Sequence, residues 1–505
     1  MSINQILIVG AGPTGLVLAL SLARRGVPFR IIDRNAGPGL ASRAMAVQAR
    51  TLEFYDQLGF ANEFVSRGIK IEILHLREGG KDVARLNLGN FGQGLSPYPF
   101  VLSFPQDEHE RFLTQKLQAL GVSVEWNVEL SGFRDNSSHL RCLFEQDGRK
   151  ETVDFRYLCG CDGASSAVRR DLGLDFKGGT YGQLFYVADV RIDSEPSADF
   201  FINLNHRELG ILLPVRTGTK RLIGIVPEAL KDRADLTFED LRRDAEKLMQ
   251  ISVEEVNWFS VYHVHHRVAE HFRVGGVFLL GDAGHIHSPA GGQGMNTGIG
   301  DAINLAWKLA DVMLERAPET ILDSYESERI CFARTLVKTT DKIFRSVVNP
   351  KAGGKLLRRW LVPHLLPLLS RLPFVRRGIF RTVSQTRLHY SLSQLSEGKA
   401  GRVRGGDRLP WVKSTKYGNF DSLKMLQWQV HVYGELDAAF CAELATLSLM
   451  LVAFDWSDEA KRAGMARNAF YLIRPDGYVA LASPTQSAAV LTNFCKMRGL
   501  RCGAK

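Results

Sequence analysis

Ile6 to Val9 is a short, unbroken apolar run, the pattern of a strand buried on both faces. Gly10-Ala11-Gly12-Pro13-Thr14-Gly15 follows, and an apolar helical period then runs through Leu16, Leu20 and Ala23 to Gly26. Phe29 to Ile32 predicts a second strand ending at Asp33. Together these make the opening of a βαβ unit. Two later runs repeat the theme. Tyr157 to Gly160 leads into the turn dipeptide Asp162-Gly163 and a short helix. Val277 to Leu280 ends in Gly281-Asp282. The Gly-rich stretch Ser288 to Asn296 comes next, then helical apolar positions at Ile299, Ala302, Leu305, Ala306 and Leu309. Residues 184–190, 200–202, 210–214 and 222–226 predict the strands of a sheet. Past residue 400, Val430–Tyr433, Leu447–Val452, Ala469–Arg474 and Tyr478–Leu481 predict another, with Pro475-Asp476-Gly477 as a turn.

The first motif carries specific chemistry. In GxGxxG the first Gly permits the tight turn, the second lets a pyrophosphate approach the backbone, and the third packs the helix on the strand. The helix N-terminus adds N–H donors and a positive dipole end. Asp33, 23 positions after Gly10, can accept from ribose hydroxyls. This motif does not separate NAD from FAD. No second strand–GxGxxG–helix unit occurs, and neither GxSxG nor HExxH is present. His263, His265 and His266 form a cluster in which alternation puts the first two on one strand face. No carboxylate or Cys stands at ligand spacing, so no metal is expected. A general base is the functional reading of His263 or His265.

Composition sets outer limits. With 505 residues, 45% hydrophobic and 23% charged, the chain is globular and long enough for about three domains. Seven cysteines, an odd number, point to a reduced, cytoplasmic setting. The strand at Ile6 follows no basic leader, and no run of 18 apolar residues occurs without charge, so neither a signal peptide nor a membrane span is expected. The net charge of +10 is concentrated: residues 345–405 hold thirteen Lys/Arg and one acid, Glu397. One basic segment is not a nucleic-acid footprint, and no nucleic-acid partner is expected. Residues 355–381 mix Leu clusters with Arg. They read either as a helical connector packed on the core or as a weak contact with an anionic membrane surface.

The GxGxxG, the Asp162-Gly163 pair and the Gly281-Asp282 pair, with His287-Ser288-Pro289-Ala290-Gly291-Gly292-Gln293-Gly294-Met295-Asn296-Thr297-Gly298, resemble the motifs of the single-component FAD-dependent aromatic hydroxylases. This group includes para-hydroxybenzoate hydroxylase, and the resemblance is greatest to its phenol and polyketide hydroxylase branch. It covers most of residues 1–345, with a weaker likeness over the last hundred or so. The resemblance implies an α/β fold. A Rossmann-like FAD-binding domain (1–175 and 266–345) would interleave with a β-sheet substrate domain (176–265, with 70–105 contributing). A basic helical connector (346–400) and a thioredoxin-like domain (401–505) lacking CxxC would follow.

It further implies that Gly10, Gly12 and Gly15 hold the FAD pyrophosphate, and that Asp33 holds the adenosine ribose with Arg34 beside it. Arg43 would meet the phosphates, and Gln106 would contact the flavin side. Asp162 would serve FAD and the visiting NADH or NADPH. Gly281 and Asp282 would take the ribityl chain, and Pro289 would lie beside the isoalloxazine. The backbone of Gly292, Gly294, Met295 and Asn296 would face the pyrimidine edge. Phe201, Leu213 and Pro214 are the substrate-pocket candidates, and no side chain is expected to act as a nucleophile. The implied activity is hydroxylation of a phenolic or polycyclic aromatic compound with NAD(P)H and O₂, through a flavin C4a-hydroperoxide. A flavin oxidase or dehydrogenase on the same frame is the alternative. A homodimer is left open.

Overall fold

The computed structural model describes residues 4–39, 44–193, 197–204, 209–288, 291–348, 372–414, 417–447 and 449–501. The chain opens with β1 (Asn4–Val9), α1 (Pro13–Arg24) and β2 (Arg30–Asp33). Helix α2 (Ala49–Gln57), the hairpin β3 (Ile73–Glu78) and β4 (Lys81–Asn87), and helix α3 (Gln106–Ala119) come next. Strand β5 (Arg149–Gly160) pairs with β1 in parallel, Val9 opposite Gly160. The chain then leaves on an antiparallel excursion through β6 (Phe176–Ile192), β7 (Phe200–Leu204), β8 (Leu209–Arg216) and β9 (Thr219–Ile225). Helix α4 (Glu239–Met249) and β10 (Val253–Ala269) complete it. Strand β11 (Val277–Leu279) returns parallel to the far side of β5, Gly160 opposite Leu279. Helices α5 (Gly294–Met313) and α6 (Asp323–Val348) follow.

The first sheet thus sets β11, β5, β1 and β2 side by side. The carboxyl ends of β1, β5 and β11 meet at one edge, the place where open α/β sheets bind ligands. The second sheet runs β10-β6-β9-β8-β7-β3-β4 after an edge strand at His285–Ile286. The hairpin β3–β4 joins it because β3 pairs with β7 in parallel, Phe201 opposite His75.

Period-two alternation gives this second sheet two different faces. On the outer face Ala188, Leu212 and Leu222 pack with Leu241, Ala245 and Met249 of α4, and Phe201 joins them. On the inner face Leu213 and Val215 pack with Met45, and Phe185, Leu209 and Val264 form a neighbouring cluster.

After α6 comes α7 (Pro373–Val383), which starts with Pro at its first turn, where a missing N–H is harmless. Residues 355–371 of the basic segment lie outside the described residues. Strand β12 (Glu397–Ala400) already belongs to the third sheet, so that sheet starts inside the stretch expected as connector. A two-residue edge strand at Val403–Arg404 pairs with β12, and the sheet continues with β13 (Gln429–Tyr433), β14 (Met450–Phe454), β15 (Phe470–Ile473) and β16 (Val479–Ser483). Strand β13 is parallel to β14 and antiparallel to β15, which is antiparallel to β16. Helices α8 (Ala438–Thr446) and α9 (Ala488–Met497) flank them. The strand expected at Leu447 begins only at Met450. Leu447 instead caps α8, its N–H bonding back to Glu443 and Leu444.

The hydrophobic core is continuous from the first sheet into this C-terminal unit. Trp307 of α5 meets Trp428 edge-on, ring centroids 5.4 Å apart.

Candidate functional site

Three turns meet at the ends of β1, β5 and β11. Gly10 has φ +102°, and a side chain there would meet the Cys161 carbonyl at 2.4 Å. A side chain on Gly15 would meet the Gly10 carbonyl at 1.9 Å, so helix and strand ends are in contact. Gly12 differs: a Cβ built there meets nothing within 4 Å. The turn is closed at its two outer glycines and opens at the middle one, as a diphosphate cradle requires. Asp33 accepts from the Ala11 N–H at 2.7 Å through Oδ2 and from the Asn35 N–H at 2.9 Å through Oδ1. A carboxylate has about four lone-pair positions, so ribose hydroxyls can still be accepted. Arg34 is exposed next to it.

At the second turn Asp162 accepts from the Val168 N–H at 3.2 Å, while its Oδ1 is buried without a partner. An orphaned buried carboxylate oxygen is costly unless a ligand donor reaches it. Cys159 and Cys161 are buried, and burial pushes both thiols up, so they are packing residues and not thiolates.

Arg169 ties this turn to the third: its guanidinium donates to the carbonyls of Ala164 at 2.8 Å and Ala283 at 2.7 Å. Gly281 and exposed Asp282 form a short 3-10 turn, Gly281 to Ala283. Buried Asp301 on α5 braces it. Oδ2 accepts from the Gly281 N–H at 3.0 Å and from His285 Nε2 at 2.7 Å, and Oδ1 accepts from Arg329 Nε at 2.6 Å. Burial works against the Asp301 charge, but Arg329 and His285 outweigh it and hold the carboxyl below its ordinary range.

The Gly-rich loop reaches the N-terminus of α5, where first-turn N–H groups have no partner within the helix. Gly292 has φ +61° and would push a side chain into Ala46, 2.7 Å away. Asn296 is spent inside the protein. It donates to Ala46 O and Gly292 O at 2.8 Å, and accepts from Gln48 N at 2.9 Å and Thr51 Oγ1 at 2.8 Å. Its side chain therefore shapes the loop and leaves its backbone for the role the resemblance implies. Gly294 and Met295 begin the helix beside it. His287 donates Nδ1–H to Ser288 O at 2.8 Å, and burial pushes its pKa down to about 4. Its buried Nε2 is then a bare acceptor. Gln106 opens α3 and is tied to Glu110 at 2.9 Å and to the Ala44 N–H at 3.2 Å. Arg43 and Pro289 lie outside the described residues.

The substrate candidates divide. Leu213 is on the inner face with Met45, close to the Gly292–Ala46 contact. Phe201 is on the outer face, stacked on His75 at 4.6 Å, and alternation puts Pro214 on that face too, opposite Lys220. Both are dropped as pocket residues. His263 and His265 alternate with Tyr262 and Val264 of the inner cluster, so they point away from it. His263 is exposed, and His265 Nδ1 bonds Thr180 Oγ1 at 2.7 Å. Neither is placed to act as a base. Among the described residues no cluster of His, Cys, Asp or Glu could hold a metal ion.

Sequence reasoning missed Asp301, Arg329, Arg169, Gln48 and a buried pair on the inner face. In that pair Arg221 donates to both oxygens of Asp189, at 2.7 and 2.8 Å. The last part of the motif run, Asp301 after the Gly-rich loop, was the one available signal; the pair gave none.

Residues 4–340 match the FAD binding domain family. The chain is 35% identical to the 6-methylpretetramide 4-monooxygenase of Streptomyces rimosus, over 97% of this chain and 92% of that one. The solved anhydrotetracycline hydroxylase OxyS of Streptomyces rimosus superposes with a TM-score of 0.78 at 26% identity, covering 98% of this chain and 99% of the other. The flavin-dependent monooxygenase PieE, solved with FAD and substrate, has the same fold: its TM-score is 0.82 at 20% identity, with 98% and 99% covered. The residues fit FAD, through an open middle glycine, an orphaned Asp162 oxygen and a helix tip above a braced turn. The chain belongs to the FAD-binding-domain family and is a FAD-dependent aromatic monooxygenase of the single-component type.

Proposed function

We propose that this protein hydroxylates a phenolic or polycyclic aromatic compound lying between the Gly291–Asn296 loop and the inner face of the second sheet, with NADH or NADPH and O₂. The observation that carries this reading is the meeting of three braced turns at one sheet edge, faced by the apolar wall of Leu209, Leu213 and Val215. Bound FAD supplies the redox and oxygen chemistry. Gly12 and the tip of α1 would take the diphosphate, and Asp33 the ribose. Asp162 and Asp282 would take the chain between, and the first N–H groups of α5 the ring edge that gains charge on reduction. Arg34, Arg43, Gln106 and Pro289 are proposed to complete the cofactor shell. The apolar wall excludes water, which protects the oxygen-transfer step from wasteful breakdown.

The two Streptomyces relatives are named for 6-methylpretetramide and anhydrotetracycline, so compounds of that kind come first in a screen. The yellow protein should oxidise NAD(P)H faster with the right compound, with one hydroxylated product formed per nicotinamide consumed. Flavin reduction by the aromatic compound without nicotinamide would replace this reading with an oxidase.

The C-terminal unit is read as thioredoxin-like, supported by the order β14-β13-β15-β16 with β15 antiparallel to its neighbours. Its role is read as structural or in oligomerisation, without thiol redox function, since no CxxC is present. Weak membrane contact through 355–381 is supported by Phe374, 71% exposed beside Arg376 and Arg377. Vesicle binding that does not weaken with salt would count against it. No described helix is long and apolar enough to cross a membrane. A cytoplasmic setting is inferred from the cysteine usage, and sedimentation would read out the proposed homodimer.

A further inference from the structure

The turn after α7 touches the back of the Gly-rich loop at several points. Gln385 donates Nε2–H to Gln293 Oε1 at 2.7 Å and to Thr297 Oγ1 at 2.9 Å. Gln293 in turn donates to Gly291 O at 3.0 Å and to Val383 O at 2.8 Å. Thr297 donates to Gln293 O at 2.9 Å, closing a ring of bonds around the first turn of α5. The same stretch caps α2: the Arg50 N–H bonds Ser384 O at 3.2 Å. Gln293 and Gln385 are 5% and 7% exposed.

The backbone of Gln385 adds an independent observation. Its φ is +61°, the left-handed region that L side chains occupy at a cost. Eight described non-glycine residues have positive φ, and Gln385 alone among them is buried. Glycine would fit that backbone without strain. A buried side chain kept there points to a need for the amide itself.

We infer that Gln385 is a positioning residue for the Gly291–Asn296 loop, acting through Gln293 to fix the loop carbonyls and the helix tip against the flavin ring. It touches neither cofactor nor substrate, and the inference rests on the proposed placement of the flavin ring. It assigns to the chain beyond the FAD-binding region a part in holding that ring.

The test is amide hydrogen exchange on the full-length chain, with and without FAD, comparing wild type with Gln385→Gly and Gln385→Met. Gly removes the amide and relieves the backbone; Met keeps the bulk and loses the donors. Exchange at 291–296 should rise about tenfold, the size of one buried hydrogen bond. The Gly variant should keep the melting temperature of the wild type. FAD should bind about tenfold more weakly, and the reduction potential of bound FAD should shift.

If exchange at 291–296 is unchanged in either folded variant, the inference falls. It falls equally if exchange rises to the same extent throughout α2 and α7, because that is general loosening. Should wild type bind no FAD, the functional reading fails, while exchange in the FAD-free chain still decides the role of Gln385.

Discussion

Asp301 sits among a backbone N–H, an imidazole and a guanidinium, and none of these can find water if it is removed. Asp301→Asn leaves Arg329 as a buried charge without its carboxylate. We expect a loss of about 3–5 kcal/mol in urea unfolding, or no soluble protein. The pH dependence has a fixed sign. The native carboxyl lies below its ordinary value of 3.8, so its stabilisation is complete above that value and is lost as pH falls through it. Wild type should therefore lose more stability than Asp301→Asn between about pH 5 and about pH 3.

At this scale the sequence was legible where backbone shape or close approach leaves room for one residue type, as at Gly10, Gly15 and Gly281. It was not legible for Phe201, Pro214, His263 and His265. Alternation says which residues share a face of a strand, but only the packing of α4 decides which face turns outward.

Helix α5 is the element on which the site turns. Its apolar positions were readable, but Asp301, Asn304, Lys308 and Asp311 recur at three- and four-residue spacing and resemble a solvated stripe. All four are 1% exposed or less. Each finds a partner from elsewhere: Asp301 pairs with Arg329, Asn304 and Lys308 with Glu328, and Asp311 with Arg25 and Trp428. Those partners lie far off in sequence, so no local pattern announces them.

Helix α5 also meets α1 closely. A Cβ on Gly298 would lie 2.4 Å from Thr14 Oγ1 and 3.1 Å from Gly281 Cα. Gly298→Ala should cost about 1–3 kcal/mol through overpacking. Thr14→Ala in the same chain should restore a good part of it. Thermal melts of the two single variants and the double test this, and strictly additive losses would show that the contact is not what limits the helix.

Across the whole molecule, Arg474 of the C-terminal unit is fully buried against Glu328, with Nη1 at 2.7 Å from Oε1 and Nη2 at 3.0 Å from Oε2. It also holds Asp476, whose Oδ2 accepts from Trp307 Nε1 at 3.0 Å. Arg474→Met strands Glu328 beside Lys308, and should destabilise the chain by about 3–5 kcal/mol. It should also separate flavin release from the loss of far-ultraviolet circular dichroism, which are expected to coincide in wild type.

Lys308 gives a second handle. Burial pushes its ammonium down to about 8, in spite of Glu328. A native value under the ordinary 10.5 means the buried charge costs stability at low pH, and that cost lifts as pH rises from about 8 toward 10.5. Wild type should gain on Lys308→Met over that window by up to about 1.4 kcal/mol per pH unit. Paired urea melts at about pH 8 and about pH 10 read the difference, and a constant difference would mean that Lys308 titrates normally.

The strands of the main sheets were legible because strands and turns leave local marks. The joining of the C-terminal unit to α5 was not, because it rests on charges meeting across the fold. The buried polar stripe of α5 also bears on descent. A relative that lost or exchanged its last hundred residues would leave Asp311 without Trp428, and Glu328, which holds Asn304 and Lys308, without Arg474. Recombination among such enzymes must therefore carry stripe and partners as one heritable block, or rewrite the helix in apolar residues first.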